Sequence, residues 1–205
     1  MTRKMLPASR SFAVVCTQAR RGITLRRCAN ALLLAGISGS AFSAPQGLLK
    51  PAQLIVDNGL PPATRVANEY VARQYATFWN TGDEALARAA LAGNFIDKTP
   101  PEGRRQGPEG AILASRAFRQ AVPDLRCDVE QMIVAGDRVV SHLHFHGHFT
   151  GTFGTRKGKG QNIDFIATDI YQISGGKIAA NWHIEDNLTL MKQLGAQYAA
   201  HPDGE

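Results

Sequence analysis

The stretch Gln161-Asn-Ile-Asp-Phe-Ile-Ala-Thr-Asp-Ile-Tyr-Gln-Ile-Ser174, then Gly175-Gly176, then Lys177-Ile-Ala-Ala-Asn-Trp-His-Ile-Glu185 decides the fold. Two runs of alternating character flank a Gly-Gly pair. That is the pattern of antiparallel strands joined by a two-residue turn whose central residues take positive φ. With that turn as the loop, Ser174 faces Lys177, Tyr171 faces Ala180, Asp169 faces Trp182, and Phe165 faces Asp186. These residues share a face with Ile163, Ala167, Ile178 and Ile184. The face is apolar except for two carboxylates, and a charge on a buried face needs a partner or a function.

In this register Asp169 and Asp186 stand four positions apart, roughly 13 Å at ~3.4 Å per residue. They are therefore not a proton-sharing pair. Asp186 immediately precedes a helical stretch and can either cap it or act as an acid/base group at a pocket mouth. Asp169, beside the indole, can accept a hydrogen bond from a neighbouring Tyr or Trp, or serve the chemistry itself.

Upstream, the alternation continues. Leu125, Cys127, Val129 and Ile133 fall on one face of a strand. In the next strand Val139, Leu143, Phe145 and Phe149 alternate with His142, His144, His146 and His148. The histidines lie opposite the apolar face, so they point to solvent or to a second subunit. Spacing of i, i+2 can place two ligands on one ion, but all four together span roughly 20 Å at strand rise and cannot share one; no metal is expected. A bulge at Gly147 would swing His148 to the other face.

Before Leu125 the periodicity is helical. Thr64 can cap a helix carrying Val66, Tyr70, Val71, Tyr75 and Phe78, stopped by Asn80-Thr81-Gly82; Asp83 caps a short second helix, and Gly107-Pro108 opens a third that ends before Pro123. Helices first, strands after and a short final helix over 187–194 give an α+β fold, not a doubly wound sheet. The basic tip Arg156-Lys-Gly-Lys-Gly160 reads as a solvated hairpin loop.

The first 27 residues carry seven Lys or Arg and no acid, followed by the apolar run Cys28–Ile37 and the small residues of 38–44. That order is a secretory signal peptide, with cleavage expected after Ser43. The run is too short to span a bilayer, which takes ~20 apolar residues. The expected organisation is a leader over 1–43, a loose Pro-rich arm over 44–63, the domain over 64–196 and a tail over 197–205. The leader takes seven of the chain's 23 cations, leaving 16 against 17 carboxylates. Nothing then favours nucleic-acid binding, which wants a basic patch on the folded domain. Cys127 is the one cysteine outside the leader, so neither an internal disulfide nor a cysteine metal site is expected.

Phe78-Trp-Asn-Thr-Gly-Asp-Glu-Ala-Leu86, Val122-Pro-Asp-Leu125, Ala135-Gly-Asp-Arg-Val-Val140, Gly176-Lys-Ile-Ala-Ala-Asn-Trp-His-Ile-Glu-Asp186 and Gln193-Leu-Gly195 occur in the order and spacing of SnoaL-like ester cyclases. Over residues 65–195 the chain resembles that polyketide cyclase family, part of the nuclear transport factor 2-like superfamily. The resemblance implies a cone-shaped α+β barrel, a curved antiparallel sheet wrapped around N-terminal helices over one pocket. It also implies cofactor-free intramolecular aldol condensation of a polyketide ester, with a homodimer as the family-based assembly. The family's acid/base aspartate maps onto Asp186, with Asp169 as the second carboxylate. Trp182 and Phe165 then form the pocket wall, with Tyr171, Phe149, Phe145 and Trp79 as further substrate contacts. An apolar wall raises a carboxyl pKa toward working pH. The expected ligand is a small apolar or aromatic carbonyl compound, handled outside the cytoplasm with no membrane contact after leader removal. A periplasmic binding domain with the same pocket and no chemistry is the alternative, since a fold does not choose between them.

Overall fold

Four helices and eight strands follow one another along residues 47–196, the part that the structure, a computed structural model, describes. The expected leader and tail lie outside the described residues. The sheet is built from β1 (Gln53–Val56), β2 (Leu91–Asp97), β3 (Arg126–Ala135), β4 (Arg138–Phe149), β7 (Gln161–Ser174) and β8 (Lys177–Glu185) in the order β1-β3-β4-β7-β8-β2. The two-residue strands β5 (Thr152–Phe153) and β6 (Arg156–Lys157) make a separate small hairpin, so Arg156 and Lys157, expected in a loop tip, lie in a strand after the turn. The central pairs are antiparallel, while β1 joins β3 and β2 joins β8 in parallel. The edge strands β1 and β2 do not pair with each other, so the curved sheet is an open cone and not a closed barrel.

Helix α1 (Pro62–Thr81) has Pro62 at its first position, where a missing N–H costs nothing. It ends at Gly82, whose φ of 76° lets its amide reach the carbonyl of Phe78. It starts two residues before the expected Thr64 because the proline pair itself sets the entry. Its buried face carries Val71, Ala72, Tyr75, Ala76 and Phe78. Helix α2 (Glu84–Ala90) is capped by Asp83, whose carboxylate accepts the Ala85 amide. Helix α3 (Pro108–Ala121) starts from Gly107-Pro108 as the sequence indicates. One continuous core, including Phe78, Ile112, Leu143, Phe149 and Tyr171, fills the space between these helices and the concave face of the sheet. Burying each such side chain stabilises the fold by ~1.5–3 kcal/mol.

Three expectations change. The segment read as a loose arm contains β1, and the residues before it are pinned to α1. There Arg73 Nε donates to the Leu49 carbonyl at 2.6 Å, and the Leu49 amide donates to Thr77 Oγ1 at 2.9 Å. In β3 the register shifts between Val129 and Gln131, so Met132 and Val134 are buried in place of Ile133. In β8 the turn forms with Gly175 and Gly176 at φ 58° and 72°, and Ser174 faces Lys177. Ile173 then pairs with Ile178 while Gln172 pairs with Ala180, so Ala179 is an extra residue in the strand. A single bulge moves every later side chain to the opposite face. Asp169 consequently faces His183 and not Trp182, and Tyr171 faces Asn181 and not Ala180. Strand β4, by contrast, pairs with β7 without interruption from Arg138 to Phe149, so Gly147 carries no bulge. A Cβ at Gly147 would sit 2.6 Å from Val122 Cγ1, which is why glycine stands there. Among the described residues no helix is long and apolar enough to cross a membrane.

Candidate active site

Between the helices and the concave sheet lies a cavity of about 330 Å³. Aromatic rings form one part of its wall: Tyr75 and Trp79 from α1, Phe95 from β2, Phe118 from α3, Phe145 from β4 and Phe165 from β7. The rings order one another. Phe145 and Phe165 stack at 5.1 Å, and Trp79 and Phe118 meet them edge-on at 6.3 and 6.0 Å. Leu190 and Met191 of helix α4 (Asn187–Gln193) also line the cavity.

Asp169 of β7 and Asn181, His183 and Glu185 of β8 bring a cluster of polar groups into this wall. Asp169 is buried, 2% exposed, and its carboxylate is saturated with donors. Tyr171 Oη donates to Oδ2 at 3.0 Å, Asn181 Nδ2 to Oδ1 at 2.6 Å, and His183 Nδ1 lies 2.9 Å from Oδ1. The other ring nitrogen of His183 lies 3.3 Å from Glu185 Oε2. Burial alone pulls the His183 pKa down. The hydrogen bonds and charges of Asp169 and Glu185 outweigh it and push the value up to about 10. The imidazole is therefore a cation at neutral pH, with both N–H groups directed at carboxylates. Burial, with the Asp169 charge behind it, also raises the Tyr75 and Tyr171 phenols. Both stay protonated, and Tyr171 is the one that donates to Asp169.

Asn181 Oδ1 is buried and has no hydrogen-bond partner, and Asn181 lines the cavity. Such an orphan acceptor is costly unless a ligand supplies a donor. At the rim, Asp97 pairs with Arg104 at 3.6 Å and accepts the Thr99 amide at 3.0 Å.

Of the residues singled out in the sequence, Asp169, Phe165, Phe145 and Trp79 line the cavity. Tyr171 stands behind them as a donor to Asp169, and Phe149 is wholly buried in the core away from the cavity wall. Trp182 lies on the outer face opposite Ile170, with the Arg138 guanidinium 5.6 Å from its ring. Asp186 is outside the cavity wall and caps α4, accepting the Thr189 amide at 3.0 Å and the Thr189 hydroxyl at 2.7 Å. Those bonds hold its carboxyl below the usual range. The residues missed were Asn181, His183 and Glu185, the alternate positions of β8 that the Ala179 bulge turns inward. Cys127 is buried, and burial raises its thiol pKa, the opposite of what a nucleophile needs.

Residues 69–194 match the family described as SnoaL-like polyketide cyclase. A crystal structure of a candidate polyketide cyclase from Bacillus cereus is similar at 37% identity over 75% of this chain and 97% of that one, with a TM-score of 0.68. TsrD from Streptomyces laurentii is 26% identical over 67% of this chain and 99% of that one, TM-score 0.59. IdmH, a candidate polyketide cyclase from Streptomyces antibioticus, shares the fold at 21% identity, covering 63% of this chain and 99% of that one, with a TM-score of 0.56. No curated protein sequence matches the chain.

Proposed function

The chain belongs to the SnoaL-like polyketide cyclase family, and from that membership we propose that it closes a ring, or moves a double bond, in an apolar carbonyl compound by acid/base proton transfer. The observation that carries this reading is His183, suspended between Asp169 and Glu185 at the polar end of an aromatic cavity. The two carboxylates have different standing. Asp169 is buried and fully hydrogen-bonded, a fixed anion that keeps the imidazole charged and oriented. Glu185 is 25% exposed at its side chain and held by the longer 3.3 Å contact.

A substrate carbonyl entering from the cavity displaces Glu185 from Nε2. The imidazolium N–H then donates to the oxygen on which enolate charge develops, the place where such a donor contributes most. Glu185, released, takes the proton from the carbon next to that carbonyl. The enolate carbon attacks a second carbonyl in the same molecule, forming the carbon–carbon bond as that carbonyl's π bond opens, and the new alkoxide takes up the proton that Glu185 holds, which restores the site. General acid–base catalysis of this kind contributes ~10²–10⁴-fold. The aromatic walls favour a flat, unsaturated substrate, and Asn181 Oδ1 is an acceptor for an enol or phenol hydroxyl upon it.

The test is deuterium uptake at the α-carbon of an aryl β-keto ester in D2O, followed by NMR, with wild-type protein and His183→Gln. The reading requires exchange well above buffer that the variant loses. Exchange no faster than buffer, or equal exchange by the variant, sinks it.

The reading includes an extracytoplasmic location, supported by the basic, apolar and small-residue order of residues 1–43. Expression in a Gram-negative host with N-terminal sequencing of the recovered protein tests this. A mature start at Ala44 in the periplasm supports it, and an uncut chain in the cytoplasm overturns it.

A further inference from the structure

On the convex face of the sheet, remote from the cavity's polar end, the histidines of β4 meet carboxylates from both neighbouring strands. Asp128 of β3 is the cross-strand partner of His144, and Asp164 of β7 is the partner of His146. Donor atoms of Asp128, His144 and His146 all lie within 4.8 Å of one another. We infer that these three side chains form a binding site for a divalent transition-metal ion of the zinc type, two imidazoles and one carboxylate with a fourth position open to solvent.

Three observations carry this. First, His146 Nδ1 is buried and makes no hydrogen bond, although Asp128 Oδ2 lies 3.6 Å away. That distance is too long for a hydrogen bond. It is close to the ~3.3 Å separating two ligands that each sit ~2.0 Å from a tetrahedral ion. An orphan nitrogen facing a carboxylate across such a gap is what an ion between them would satisfy.

Second, His144 is oriented as metal-bound histidines are. Its Nε2 lies 2.8 Å from Asp164 Oδ1, leaving Nδ1 on the β3 side, 3.7 Å from Glu130 Oε1. A carboxylate on the far nitrogen fixes the tautomer and makes the ring a better ligand.

Third, the site stands on three strands whose ladders are regular at these residues: Asp128↔His144 and Arg126↔His146 on one side, His144↔Ile166 and His146↔Asp164 on the other. Rigid elements hold ligands more accurately than loops do. The remaining histidines of the strip are otherwise engaged. His142 Nδ1 lies 2.8 Å from Thr168 Oγ1, and His148 Nδ1 lies 2.6 Å from Asp124 Oδ2. The strip as a whole is too long for one ion, as its strand spacing dictates, yet two adjacent members with one cross-strand acid are not. His/His/carboxylate sets suit zinc, and copper(II) competes with it in the usual affinity order.

Isothermal titration calorimetry of the tag-free, EDTA-stripped protein with zinc chloride tests the site, with His146→Gln, Asp128→Asn and the flanking His148→Gln alongside. Asp128 and His146 are 62% and 41% exposed at their side chains, so the fold tolerates both changes. The expected result is one zinc per chain, with affinity falling about tenfold or more in His146→Gln and Asp128→Asn and holding within about twofold in His148→Gln. Cobalt(II) in place of zinc should give tetrahedral d–d absorption that His146→Gln abolishes. Absence of saturable binding, or equal losses in all three variants, overturns the inference.

Discussion

Replacing Asp169 with Asn tests the electrostatics on which the proposed chemistry rests. The carboxylate is 2% exposed, and one of its oxygens serves both Asn181 and His183. An amide keeps the shape but removes the charge. His183 then keeps the burial that lowers its pKa and loses the first of the groups that raise it. Its pKa should drop from about 10 toward or below the ordinary 6.5. The sign for stability follows from the proton count. Below about 6.5 both folded and unfolded histidine are protonated and the stabilisation is fully present. Between 6.5 and about 10 only the folded state holds the proton, so stability declines as pH rises. At ~1.4 kcal/mol per pH unit the whole window is worth at most ~5 kcal/mol, less any screening by solvent. Breaking a buried pair costs ~3–5 kcal/mol, so Asp169→Asn should be that much less stable at neutral pH, with the gap narrowing toward pH 11. The assays are urea denaturation at pH 6, 8 and 11 and a 13C NMR titration of the histidine Cε1 signals. A wild-type His183 that titrates near 6.5, or the same pH slope in both proteins, would refute the argument.

Other perturbations separate the roles assigned above. Asp186→Ala removes the two bonds to Thr189 that start α4, so it should lower the melting temperature modestly and leave α-carbon exchange intact; loss of exchange in a folded variant would return Asp186 to the chemistry. Trp182→Ala strips an outer-face ring from Arg138 and should leave pocket binding of an aromatic probe unchanged, as equilibrium fluorescence titration would report. Gly147→Ala forces a methyl to within 2.6 Å of Val122 Cγ1 and should destabilise by ~1–3 kcal/mol in urea; a neutral effect would mean the strand shifts freely there.

Local signals in the sequence carried most of the architecture. Asp83 and Gly107-Pro108 marked helix starts, Gly82 a helix end and Gly175-Gly176 a hairpin, because each acts through the backbone within a few residues. The parallel docking of β1 on β3 left no such mark, since a crossover pairing depends on where distant segments come to rest. The site failed to read out for a different reason. The bulge sits in Ile178-Ala179-Ala180, where two alanines give no contrast between inward and outward positions. Beyond it, hydrophobicity argued for Trp182 and Ile184 inside and Asn181, His183 and Glu185 outside. The protein does the reverse, leaving Ile184 73% exposed while Asn181 is buried. A strand that turns its polar side chains inward violates the usual pattern where a function demands it. The readable clue was Asp169: a buried acid needs donors, and an Asn and a His two residues apart on the next strand supply them.

The extra alanine in β8 works like a shift of reading frame. Deleting Ala179 would restore the plain register and exchange the whole set of side chains that β8 shows to the cavity, Trp182 and Ile184 replacing Asn181, His183 and Glu185. Tryptophan emission moving to the blue in such a deletion variant would report the exchange, and unchanged emission would deny it. Within one topology, the gain or loss of a single codon thus substitutes one chemical face for another in one step. In a cone of this kind, a change of one residue in strand length therefore reaches several wall positions at once, as no single substitution does.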